Sequence, residues 1–239
     1  MGRVIAACVF ERADVQIAAG VDLTPAENMG FPVFQSISAC GIPADVIIDF
    51  SHPSALDSVL LYAAAHKLPA VIATTGLSTE QVDRIKTAAN TIPAFWSGNM
   101  SLGINLLLEL TKKATAVLSD FEVEIVEAHH NQKLDAPSGT AFMLADAVSS
   151  ASPQARKYEY DRHSHRRKRD KNEIGIHSIR GGTIVGEHEV IFAGRDEIIK
   201  LSHSAQSKEI FAVGAINAAR FLIGKPAGLY DMSDLVREC

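Results

Sequence analysis

Between residues 15 and 97 short apolar runs alternate with helix-like stretches, and a chain with that rhythm has few ways to bury itself. "VQIAAGVD" (15–22) predicts a short strand ending in a carboxylate, and "DVIIDFS" (45–51) a second, with Pro53 placed for the first turn of a helix running to about Lys67. "AVIATTG" (70–76) predicts a third strand. "STEQVDRIKTAAN" predicts a helix whose Ser78 and Gln81 stand at capping-box spacing, and "PAFWS" (93–97) completes the series. The expectation is a Rossmann-like, doubly wound parallel sheet with helices on both faces.

After residue 100 the rhythm changes. A long helix ("SLGINLLLELTKKATAVL") leads to the strand "EVEIVEAH", a helix beginning at Ser138, a polar loop, and then strands without helices between them. "EHEVIFAG" and "DEIIKLSH" read as an antiparallel pair. "KEIFAVGAINAARFLIG" returns to an amphipathic helix with Gly224 and Pro226 as stop signals. The chain therefore divides into an α/β unit, residues 1–100 completed by 211–239, and an α+β unit, residues 101–210.

Composition narrows the function classes. With 239 residues, 47% of them hydrophobic, the chain can bury a substantial core. A net charge of -5 and a pI near 6.0 argue against nucleic acid as a partner, despite the local run "RHSHRRKR" (162–169), whose residues Arg166 to Arg169 read as a solvated face. The three cysteines (Cys8, Cys40, Cys239) supply neither a disulfide framework nor a CxxC metal site. No apolar run is long enough to span a bilayer, so the expected location is the cytoplasm and no membrane partner is expected.

In a doubly wound sheet ligands bind outside the carboxyl ends of the strands. Asp22 stands where an acidic residue would accept hydrogen bonds from the adenosine ribose, and Leu23 beside it offers no cation for a 2′-phosphate, which favours NADH over NADPH. The turns "ATTG" (73–76) and "SGNMSLG" (97–103) supply small side chains and amides at two further strand ends; ordinary turn chemistry is the alternative reading of both. In the second unit, "EAHHNQKLDAPSGTA" (127–141) sets two histidines, a lysine and a helix start within one short span. His129 and His130 face opposite ways at a strand end, so one of them shares a pocket with Lys133. Ser138 can cap a helix whose first amides belong to Gly139 and Thr140, an anion site at the positive end of a helix dipole. The group suits a carboxylate substrate and an acid catalyst; the alternative has the histidines satisfying backbone groups and Lys133 in solvent. Zinc is not expected, because no cysteine lies near and His163 and His165 are separated from the first pair by a polar loop.

Those residues resemble the signature of the 4-hydroxy-tetrahydrodipicolinate (dihydrodipicolinate) reductase family. The similarity continues through "IGIHSIRGGTIVGEHEVIFAG" and "GLYDMSDL" and spans nearly the whole chain. The resemblance implies a nicotinamide-dependent reduction of a cyclic, unsaturated dicarboxylate to tetrahydrodipicolinate, on the route to diaminopimelate and lysine. It implies His129 as proton donor or acceptor, Lys133 as proton donor, and His130, Gly139 and Thr140 as substrate-binding residues. Met1, Asp22, the stretch Ala73, Thr74 and Thr75, and the stretch Ser97, Gly98, Asn99 and Met100 correspond to cofactor contacts. It also implies a homotetramer assembled through the second unit's sheet.

The family opens with a strand and a glycine-rich turn, G-x-x-G-[KR]-M-G, whereas this chain begins "MGRVIAAC", so Met1 and Gly2 match only the turn's last two positions. The expectation is an N-terminally shortened form lacking roughly 15 residues of a βα unit. A central strand of that kind would contribute on the order of 8 to 15 kcal/mol. Two other readings fit parts of the sequence: another NAD-dependent oxidoreductase of related architecture, and a shortened, catalytically impaired paralogue that oligomerises or binds the dicarboxylate.

Overall fold

The computed structural model of the protein describes residues 1–24 and 28–238. Along the chain run α1 (Gly2–Phe10), β1 (Gly20–Val21), β2 (Val33–Phe34), β3 (Ile47–Asp49), α2 (Leu56–His66), β4 (Ala70–Ile72), α3 (Thr79–Ala88), β5 (Pro93–Trp96) and α4 (Leu102–Val117). There follow β6 (Glu122–His129), α5 (Gly139–Ala151), β7 (Lys157–Glu159), β8 (Glu173–Arg180), β9 (Gly186–Ala193), β10 (Ile198–Ala205), α6 (Glu209–Leu222), β11 (Gly228–Tyr230) and α7 (Met232–Glu238). The chain forms two compact units, Met1–Leu102 with Glu209–Cys239, and Gly103–Lys208.

The first unit is α/β and its strands are parallel, in the order β11-β5-β4-β3, with β1 and β2 forming a separate parallel pair. The run expected as one strand over 15–22 pairs only at Gly20 and Val21, because its partner offers only Val33 and Phe34. Among the described residues β1 and β3 each leave one edge unpaired, so the sheet stands in two pieces. Helix α3 starts where the capping box places it: Ser78 Oγ accepts from the Gln81 amide and Gln81 Oε1 accepts from the Ser78 amide. A 3-10 turn (Pro53–Ala55) precedes α2, which ends on Lys67 in the left-handed conformation. Val71, Ile72 and Phe95 are fully buried, each worth about 1.5–3 kcal/mol relative to exposure. Helix α6 covers Val71 and Phe95 with small residues, Ala215, Ala218 and Ala219. At Gly214 a Cβ would collide with the carbonyl oxygen of Met100, so this helix can approach the 97–100 turn only with glycine there.

The second unit is built on a mixed sheet in the order β10-β9-β6-β8-β7, with β6, β8 and β7 mutually parallel and β9 and β10 antiparallel to their neighbours. The polar loop expected after the helix from Ser138 contains β7, because Tyr158 pairs beside Ile174 and packs its half-buried ring against the same core. Strand alternation divides the sheet. Val123, Ile125, Ile174, Ile176, Val190 and Phe192 pack under α4 and α5 against Leu107, Leu108, Leu144 and Val148. The other face is ionic at one end, where Glu124 meets Arg162, Arg169 and His177, and Glu173 meets Arg162 and Arg167. Within the basic run Arg166, Arg167 and Lys168 are exposed, as expected of a solvated face, whereas Arg169 is half-buried; Arg167 and Arg169 are tied to carboxylates on the adjacent strands, which burial would otherwise leave uncompensated. No helix among the described residues is long and apolar enough to cross a membrane.

Candidate active site

The helix-covered face of the second sheet changes character toward the start of α5. Successive rows are apolar, and then the register aligns Ser178, Glu127, His188 and His203 across β8, β6, β9 and β10. The following row contains Arg180 beside His129. A strand repeats its face every second residue, so Glu127 and His129 necessarily share this face.

Glu127 is fully buried. Arg180 grips it with two nitrogens, Nη2 to Oε1 at 2.7 Å and Nη1 to Oε2 at 2.8 Å, the fork geometry that suits a carboxylate. Oε2 also receives His129 Nδ1 at 2.6 Å, and Oε1 accepts the Ser138 amide at 3.2 Å. Burial works to raise the Glu127 carboxyl, but hydrogen bonds from Arg180, Ser178 and His129 outweigh it and hold the group at about 2. The carboxylate is therefore ionised and the Nδ1 of His129 carries a hydrogen toward it. Nε2 of His129 has no hydrogen-bond partner among the described residues, and it lies against Gly186, where a Cβ would come within 3.1 Å.

The loop after β6 is pinned by its neighbours. Gly181 donates to the His129 carbonyl, Asn131 donates to the Gly182 carbonyl, and Arg180 Nη2 donates to the Asp135 carbonyl at 2.8 Å. Lys133 is held by a backbone bond to His130 and by its own ammonium, 2.7 Å from Asp135 Oδ1. That bond holds the Asp135 carboxyl below its ordinary value. Ser138 caps α5 by accepting from the Ala141 amide, and its hydroxyl lies 3.0 Å from His188 Nε2. His188 is buried, and burial together with the charges of His129, His203 and Lys133 pushes it down to about 4 against the opposing pull of Glu127. Gly139 opens the helix with nothing within 4 Å of where a Cβ would stand, so a ligand can reach the first-turn backbone.

Apart from Met1, the expected cofactor residues lie at the carboxyl ends of parallel strands in the first unit. Asp22 follows β1, is exposed, and accepts the Thr24 amide, with Leu23 beside it 88% exposed. After β4, Ala73 and Thr74 are buried, whereas Thr75 and Gly76 turn outward. Thr74 Oγ1 donates to Asp49 Oδ2 at 2.8 Å, and Asp49 also accepts the Ser51 amide and hydroxyl, so one buried carboxylate joins the ends of β3 and β4. After β5, Ser97 donates to the Asn99 carbonyl, Asn99 Oδ1 accepts the Ser101 amide, Gly98 is exposed and Met100 is buried. Met1, at the N-terminal end of α1, is 38% exposed. Three parallel strand ends with small, outward-facing turns fit a dinucleotide.

Sequence reasoning missed Glu127, Arg180, His188 and Asp49. Glu127 was detectable from its two-residue offset to His129. Arg180 and His188 carried no local signal, since only strand order makes them neighbours of β6.

Two family models match the chain: dihydrodipicolinate reductase, N-terminus, over residues 1–100, and dihydrodipicolinate reductase, C-terminus, over 103–236. Among curated relatives, the 4-hydroxy-tetrahydrodipicolinate reductase of Caldanaerobacter subterraneus is 51% identical, covering 100% of this chain and 94% of that protein. The same-named protein of Clostridium tetani is 49% identical over 97% of this chain and 91% of its own length. Among solved structures, dipicolinate-bound dihydrodipicolinate reductase from Paenisporosarcina has a TM-score of 0.81 at 24% identity, covering 96% of this chain and 92% of that one. A buried polar row ending at a capped helix, on a chain whose residues 1–100 and 103–236 match the two family models, leads to one assignment: this chain belongs to the dihydrodipicolinate reductase family.

Proposed function

We propose that the protein catalyses NAD(P)H-dependent reduction of the dehydrated form of 4-hydroxy-tetrahydrodipicolinate to tetrahydrodipicolinate, in diaminopimelate and lysine biosynthesis. One observation carries this reading. His129 and the start of α5 are bonded to the same carboxylate, Glu127, so an imidazole and an anion-binding helix end are held at a fixed spacing. In this reading residues 1–100 and 211–239 bind the cofactor, and residues 101–210 bind the substrate and assemble the oligomer.

When bound, the reduced nicotinamide supplies a hydride. Hydride entering a conjugated ring leaves negative charge that must be neutralised, and the Lys133 ammonium stabilises that charge and donates the proton. His129 is the second proton-transferring group, acting through Nε2 because Nδ1 is committed to Glu127. His130, Gly139 and Thr140 hold the ring carboxylates, with the helix dipole adding to the attraction. Asp22 accepts from the ribose hydroxyls, and the turns Ala73–Thr75 and Ser97–Met100, with Met1, contact the cofactor. NADH is the preferred reductant: a carboxylate followed by an exposed leucine repels a 2′-phosphate and offers it no cation. The open face of the second sheet, with Val126, Ala128, Ile179, Glu187 and Glu189 around a cavity of about 340 Å³, supports a homotetramer built through that sheet. Free thiols at Cys8 and Cys40 support a cytoplasmic protein.

An assay following NADH oxidation with freshly made substrate tests the reading. Lys133→Ala is expected to lower turnover by roughly 10²- to 10⁴-fold. Undiminished turnover in that variant would refute it.

A further inference from the structure

We infer that Glu127 and Arg180 form a positioning pair which fixes both the tautomer of His129 and the placement of the α5 start. The inference rests on the proposed reductase reading for its catalytic consequence, though not for its structural one. Neither residue needs to touch substrate. Glu127 is buried and receives four groups from three elements: His129 from its own strand, Arg180 and Ser178 from β8, and the Ser138 amide from the entry to α5. Arg180 extends the clamp by donating to the Asp135 carbonyl, which holds the loop that carries Lys133.

The geometry dictates what a change would do. An ionised carboxylate accepts at both oxygens, so it holds Nδ1–H of His129 and leaves Nε2 for proton transfer. Glutamine keeps the shape but has one acceptor oxygen; at either position its amino group displaces one arm of the Arg180 fork, and it must then also face either the Ser138 amide, in place of Oε1, or His129 Nδ1, in place of Oε2. Arg180 and the Ser138 amide cannot reverse polarity, whereas imidazole can. The hydrogen on His129 would move to Nε2, and that nitrogen would lose its lone pair.

The experiment is ¹⁵N NMR of the histidine side chains in the full chain at about pH 8.5, where imidazoles are neutral. Wild type is expected to show His129 as the Nδ1–H tautomer and Glu127→Gln as the Nε2–H tautomer, with an unchanged circular dichroism spectrum. In the same variant turnover should fall roughly 10- to 100-fold, since a wrongly held tautomer disables proton transfer. The affinity for pyridine-2,6-dicarboxylate should weaken severalfold while KM for NADH stays put. Retention of the Nδ1–H tautomer with unchanged turnover overturns the inference. Should Glu127→Gln fail to fold, Arg180→Lys decides: it keeps the charge and loses the fork, and is expected to weaken dicarboxylate binding and turnover together. Wild-type values in that variant would equally overturn the pairing. Because the tautomer is read without substrate, failure of the reductase reading is seen separately, as a wild-type chain that does not turn over.

Discussion

His188 offers the sharpest test of the polar row, because it is buried and neutral. Its folded value of about 4 lies below the ordinary 6.5, chiefly through burial. Above pH 6.5 the imidazole is neutral both folded and unfolded, so it contributes no pH dependence. As pH falls below 6.5 the unfolded chain takes up a proton that the folded chain refuses, and stability drops until the folded group also titrates near 4. At about 1.4 kcal/mol per pH unit, that interval amounts to about 3 kcal/mol lost between pH 6.5 and 4. Glu127, with folded and unfolded values of about 2 and 4.5, loses its own contribution mainly below pH 4.5 and does so in both chains, so it cancels in the comparison. His203, also lowered by burial, adds to the slope, so the comparison is with His188→Gln, whose amide nitrogen can occupy the Nε2 position and donate to Ser138. Trp96 belongs to the other unit, so native-state hydrogen exchange of the β9 amides is the suitable reporter. The wild type should lose about 3 kcal/mol more than the glutamine variant over this range. Parallel pH profiles in the two chains would refute the reasoning.

Gly214→Ala should destabilise the first unit by about 2 to 4 kcal/mol in urea unfolding monitored by Trp96 fluorescence, since the added methyl meets backbone rather than a side chain that can swing away. Thr74→Val should cost about 1 to 3 kcal/mol in the same measurement, because Asp49 loses a buried donor, and it should raise KM for NADH without altering pyridine-2,6-dicarboxylate affinity in calorimetry. Leu23→Arg should raise the ratio of NADPH to NADH kcat/KM by roughly tenfold, read from initial rates with each reductant.

Local patterns determined much of this protein. The strand-and-helix rhythm, the capping box at Ser78, the cap at Ser138 and the strand ending at His129 are all interactions within a few residues, and the structure forms each of them. The family signature is likewise contiguous, so 127–141 was legible without coordinates. Register decided the remainder. Which residues face His129 across the sheet depends on β8 running parallel to β6 and β9 antiparallel, and no local pattern encodes that choice. Arg180 lies 53 positions from Glu127 in the chain, yet the two share a buried fork. The ion pairs of the basic run were illegible for the same reason: its exposure follows from local charge density, whereas the carboxylates that neutralise Arg167 and Arg169 arrive from other strands. Sequence alone determines where a chain can turn, cap and bury a face, because those depend on neighbours in the chain. Only the folded sheet could decide which buried charge meets which, because in a low-dielectric interior the partner must be brought there by pairing.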